Sequence, residues 1–92
     1  MSVNEQLNTI RQLLEAEKAQ EARKAFQDMD AEELPAYYLL KGKIEQKFQN
    51  WGEAINAFNK VLEIDPGNAE AINNLHLIQN ILNFWNPEMF NP

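Results

Sequence analysis

A chain of 92 residues with 45% hydrophobic and 24% charged side chains has the composition of one globular domain, spanning 1–92. Folding at this size hides only about 60–65% of the unfolded surface, which leaves too little core for a deep catalytic cavity and points to function on a surface. The absence of cysteine excludes a disulfide framework, a thiolate nucleophile and thiolate-held metal centres, and the single histidine, His76, excludes an all-histidine cage. A net charge of −6 repels polyanions, so neither nucleic acid nor an anionic membrane is an expected partner.

The elements follow from periodicity. Val3, Leu7, Ile10, Leu13 and Leu14 recur at helical spacing behind Ser2, and Glu5 stands three residues after Ser2 as in a capping box, so a first helix is expected over about 2–15. Ala19, Ala22, Phe26 and Met29 form a second stripe that ends before Leu34-Pro35, where proline opens a third helix. Tyr38, Leu39, Gly42, Ile44 and Phe48 carry that helix to about residue 48. Asn50 with Glu53 forms another expected capping box for a fourth, which stops at Asp65-Pro66-Gly67. Asn68 then caps a fifth, whose stripe of Ile72, Leu75, Ile78 and Leu82 runs to Asn86-Pro87. No segment alternates with period two, so no sheet is expected and the fold class is all-α.

Five helices joined by short turns suggest an internal repeat, and one is present at a spacing of 34. Tyr38 pairs with Ile72, Ile44 with Ile78, Phe48 with Leu82 and Trp51 with Trp85, while Ala22 and Phe26 pair with Ala54 and Phe58 at 32. Gly42 and Ala54 are the small residues a hairpin needs where two helices approach closely, and Phe58 is the bulky group that fills the gap one turn on. His76 falls 34 after Gly42, a place where a large side chain fits only if no second helix lies against it. The period, with Tyr38, Gly42, Ala54, Phe58 and Pro66, resembles the tetratricopeptide repeat. On that resemblance 2–30 is a degenerate repeat, 35–68 a complete one, 69–86 a half repeat and 87–92 a C-terminal tail. The implied architecture is a right-handed superhelical stack of antiparallel helical hairpins, an α-solenoid of five helices.

The resemblance implies a protein–protein interaction module, an adaptor that holds a peptide or protein along the wall formed by the first helix of each hairpin. Carried onto this sequence, that wall is Ala36, Leu39, Lys43, Gln46 and Lys47, followed by Glu70, Asn73, Leu77 and Asn80, with Asn4, Leu7 and Arg11 from the first helix. Lys43 and Lys47 lie four apart on one helical face, a like-charge pair that costs a few tenths of a kcal/mol unless something negative answers it. An acidic or carboxylate-ended peptide in the groove, or acids elsewhere in the chain, would supply that answer. The carboxylate clamp of the chaperone-tail binders is not matched, since Leu7, Arg11, Leu40, Glu70 and Asn74 occupy its places.

A second surface comes from the C-terminal end, where residues 71–92 carry one charged side chain, Glu88. Leu77, Ile81 and Phe84 project on the side of the fifth helix away from Ile72, Leu75, Ile78 and Leu82. With Trp85, Met89 and Phe90 they form either a cap made by the tail folding back, a homodimer interface or a partner site. Catalytic machinery is not expected: His76 has no serine, cysteine or second histidine to work with, the carboxylates read as solvated faces, and there is no glycine-rich phosphate loop. No enzyme activity, cofactor, metal or small-molecule substrate is therefore expected. The start, Ser2-Val3-Asn4-Glu5-Gln6, lacks the basic and apolar segments of a signal peptide, so a cytoplasmic location is expected.

Overall fold

The computed structural model describes residues 2–29 and 34–85, with the backbone alone of Trp85. Among the described residues there are five helices and no strands: α1 (Val3–Glu15), α2 (Ala19–Gln27), α3 (Pro35–Lys47), α4 (Trp51–Ile64) and α5 (Ala69–Trp85). The expected tail, including Met89 and Phe90, lies outside the described residues, as does the helix stop at Asn86-Pro87.

Most helix starts follow their local chemistry. The Ser2 hydroxyl accepts from the Glu5 amide at 3.2 Å and donates to the Glu5 carboxylate, also at 3.2 Å. Pro35 supplies the fixed φ of a first helical residue and has no amide to leave unpaired. Asn68 accepts from the Ala71 amide at 2.9 Å, and its own amide donates to Asp65 at 3.2 Å. Asn50 departs from expectation: it makes no side-chain cap to α4, and its amide instead donates to the Glu45 carboxylate at 2.9 Å. The capping box with Glu53 is thus not formed.

The reason lies in the turn. At the end of α3 the Gln49 amide donates to the Gln46 carbonyl and the Asn50 amide to the Glu45 carbonyl, the two bonds of a Schellman motif, which bring Asn50 back beside Glu45. The same motif closes α1, where Glu17 donates to Leu14 and Lys18 to Leu13, 32 residues earlier. Glu17 and Gln49 both take the left-handed conformation with φ 61°. An L side chain there is strained by roughly 1–2 kcal/mol, part of which glycine recovers at the cost of its greater chain entropy. Gln49→Gly is therefore expected to stabilise the fold by about 0.5 kcal/mol, a rise of about 2–4 °C in melting temperature. A fall in a thermal melt would show that the Gln49 side chain contributes more than its backbone costs.

Each helix packs on the next, and α3 also touches both α1 and α5, whereas α2 and α4 do not meet among the described residues. The odd-numbered helices thus adjoin, α1 with α3 and α3 with α5. Two apolar clusters result. The first joins Leu7, Ile10 and Leu14 of α1 to Ala22 and Phe26 of α2 and to Tyr37, Leu40 and Ile44 of α3; the Phe26 and Tyr37 rings stack at 4.5 Å between centroids. The second joins Leu39 of α3 to Ala54, Phe58 and Val61 of α4 and to Ala71 and Ile78 of α5. Tyr38 packs against both, so α3 is the shared wall.

Repeat-related residues share their burial. Ala22 and Ala54 are both sealed, Phe26 and Phe58 are both core, and so are Ile44 and Ile78. At Gly42 a Cβ would stand 2.6 Å from the Phe58 ring, so this glycine is required by the close approach of α3 and α4. Pro66 is exposed and acts in the α4–α5 turn without packing into the core. His76 is exposed on α5. No helix among the described residues is long and apolar enough to cross a membrane.

Candidate functional site

The last two turns of α3 carry Lys43, Gln46 and Lys47 on one face. Together with Trp51 at the start of α4 and Asn74 in the second turn of α5, they line an open cleft of about 420 Å³. The Schellman turn makes this arrangement: it reverses the chain within three residues, so that Trp51 stands beside the helix end that presents the lysines. Trp51 is half-buried, with its inner side packed against the second apolar cluster, and so forms an aromatic floor.

Carboxylates of this chain answer both lysines. Lys43 forms an ion pair with Glu70 in the first turn of α5, and Lys47 lies 3.2 Å from Glu17 in the α1–α2 turn. The four groups cancel in charge, so the wall that looks basic along α3 is neutral once α1 and α5 are in place. The like-charge cost of a lysine pair four apart is thereby offset. The partners are 55% and 76% exposed, so each pair contributes less than about 1 kcal/mol and can open at little cost.

Besides the Trp51 indole N–H, the remaining polar side chains of the cleft are amides. Asn74 donates to the Glu70 carbonyl at 2.8 Å, which orients its side chain along the helix, and its own carbonyl oxygen has no hydrogen-bond partner among the described residues. Gln46 is half-buried and its side chain makes no hydrogen bond within the described residues. Amides, ammonium groups and an aromatic surface can together take a peptide backbone and one bulky side chain.

The expected wall is gathered only in part. Leu39 is 8% exposed and Ala36 packs on the first cluster; both belong to the core, because α5 closes over one and α1–α2 over the other. Leu39 is therefore removed from the groove. Arg11 is exposed and its guanidinium donates to Asn8 at 3.1 Å, outside the cleft lining. Asn73, Leu77 and Asn80 are exposed on α5, also outside that lining. Trp51 was expected only as a repeat match; its place directly after the turn that ends the lysine-bearing helix is the signal that could have found it.

Along α5 the cleft residues continue into an apolar stripe. Glu70, Asn74, Leu77, Ile81 and Phe84 are spaced four, three, four and three apart, and at roughly 100° per residue they fall within an arc of about 80°. Leu77 is 49% exposed and Phe84 83%. Among the described residues no group of three or more His, Asp or Glu is placed to hold a metal ion. Comparison with protein-family models, with curated proteins and with solved structures finds no match to this chain.

Proposed function

We propose that this chain is a small protein–protein interaction module of the tetratricopeptide type, a short right-handed stack of helical hairpins that binds a partner along the side where α1, α3 and α5 adjoin. It is not an enzyme in this reading, and it works without cofactor. The observation that carries the proposal is the cleft of about 420 Å³ at the α3–α5 junction, floored by Trp51 and rimmed by Lys43, Gln46, Lys47 and Asn74. Supporting it are the shared burial at repeat-related positions, the identical turns 32 residues apart, and the close contact of Gly42 with Phe58. A cysteine-free chain fits a reducing compartment, and we place its work in the cytoplasm.

An acidic partner reaches the two lysines only by displacing Glu17 and Glu70. Those carboxylates therefore set a threshold: weakly charged segments leave the pairs closed, and strongly acidic ones open them. Peptides selected by display on the wild-type chain are expected to lose at least tenfold in affinity when Gln46→Ala/Asn74→Ala removes the cleft amides. Acidic binders among them are expected to gain several-fold with Glu17→Gln/Glu70→Gln, because the lysines are then unopposed. Selected peptides whose affinity is indifferent to the amide exchange would remove the groove from the proposal.

A further inference from the structure

We propose that the partner which fits this groove is a second copy of the chain, docked through α5 in an antiparallel, two-fold arrangement. The inference rests on the groove reading and names its occupant.

The seam along α5 is divided. Its first two positions are engaged within the chain, Glu70 with Lys43 and Asn74 in the cleft lining, while Leu77, Ile81 and Phe84 continue the same line with no cover from the second cluster. The core side of the helix is separate: Ala71 and Ile78 are fully buried there, with Leu75 and Leu82 packed beside them. A four-three apolar spacing on a helix that already has its core contact is the pattern of a helix–helix seam.

Charge selects the occupant. Two copies of a chain of charge −6 repel over most of their surfaces, yet residues 71–85 hold no charged side chain at all. Beyond Glu70, which Lys43 already pairs, this helix is where a copy can approach without an opposing carboxylate, and a strongly charged partner gains nothing from it.

The seam also complements itself. In the antiparallel register that sets Leu77 against Ile81 of the second copy, Ile81 meets the second copy's Leu77, and Phe84 comes opposite Asn74. Asn74 lines the cleft, so each Phe84 ring is directed to the other copy's Trp51, with Lys43 and Lys47 at the rim. A ring left 83% exposed in one chain gains an aromatic floor and two cations in the pair. Each contact occurs twice and the arrangement closes at two copies. A single helix seam is a small interface, so dissociation on the order of micromolar is expected.

Sedimentation equilibrium of the full chain should give a mass that rises from one copy to two across that range. Phe84→Ser should weaken the dimer on the order of 100-fold, since the aromatic anchor that fills the cleft is lost on both sides, and Ile81→Gln should act in the same direction. Phe84 lies outside the core, so the helical circular dichroism should not change. The absence of cysteine allows a register test: a mixture of Leu77→Cys and Ile81→Cys chains, oxidised with copper–phenanthroline, should cross-link several-fold faster than either alone. A single-copy mass at every concentration overturns the proposal, and so does a dimer indifferent to both Phe84→Ser and Ile81→Gln. If the wild type is monomeric and full-length Met89→Ser/Phe90→Ser dimerises, the chain's own tail occupies the seam and the proposal fails. A monomer whose display-selected peptides still answer to Gln46 and Asn74 sinks the dimer and leaves the groove standing. A dimer that answers to Phe84 but not to Asn74 keeps the pairing and discards the cleft.

Discussion

Gly42→Ala is expected to destabilise the chain by about 1–2 kcal/mol and lower its melting temperature by about 5–10 °C, against the usual benefit of alanine in a helix. Glycine in the middle of α3 gives up roughly 1 kcal/mol of helix propensity, so at an open site the exchange stabilises. This site is closed. A Cβ would stand 2.6, 2.7 and 2.8 Å from three carbons of the Phe58 ring, and Phe58 is itself 0% exposed, with no space into which to retreat. Overpacking of a tight core costs typically 1–3 kcal/mol, which exceeds the propensity gain. Phe58→Leu should rescue the loss in part. Alone it shortens a buried ring and costs about 1–2 kcal/mol, but with Gly42→Ala it makes room for the new methyl. The double variant is then more stable than the two single effects added together, by about 1 kcal/mol. Additive effects would mean that the α3–α4 approach is looser than the glycine contact indicates, and the repeat motif would lose its physical basis.

The five helices were legible because their signals are local: Ser2, Pro35 and Asn68 act on amides or φ angles within three residues of themselves. The core was legible where burial recurs with the repeat, as at Ile44 and Ile78 or Ala22 and Ala54. Errors arose where a residue's neighbours come from a distant part of the chain or from an unrecognised turn. Asn50 has the residue type of a cap, but the Schellman turn sets Glu45 within reach of its amide. Leu39 occupies a position expected on the inner wall, and it is buried because α4 and α5 converge on it. The lysines of α3 form a basic face only while α3 is considered alone. Their partners stand 30 residues before Lys47 and 27 after Lys43, distances over which sequence spacing carries no signal. The exposed stripe of α5 was legible as a second apolar face, whereas its alignment with Glu70 and Asn74, and so with the cleft, needed the Lys43–Glu70 contact.

Ile78 and Leu77 are neighbours in sequence that project about 100° apart on α5, one into the core and one to the exposed stripe, and truncating them should separate stability from association. Ile78 is 0% exposed in the second cluster, so Ile78→Ala removes three carbons from a filled site and should cost about 3 kcal/mol. A domain of this length holds on the order of 5–14 kcal/mol in all, so that single change removes a large part of it. Leu77 is 49% exposed, and Leu77→Ala should shift the unfolding free energy by less than about 0.5 kcal/mol when measured at a concentration low enough to keep the chain as single copies. At higher concentration the order changes: urea unfolding of the wild type then gains the free energy of pairing, and Leu77→Ala loses that gain while Ile78→Ala keeps its share of it. The two variants thus differ in which term they remove, and the concentration dependence identifies it. Equal costs at high dilution would mean that Leu77 belongs to the core of this chain. A Leu77→Ala effect that is small and the same at every concentration would mean that the stripe, though exposed and apolar, contributes nothing to association.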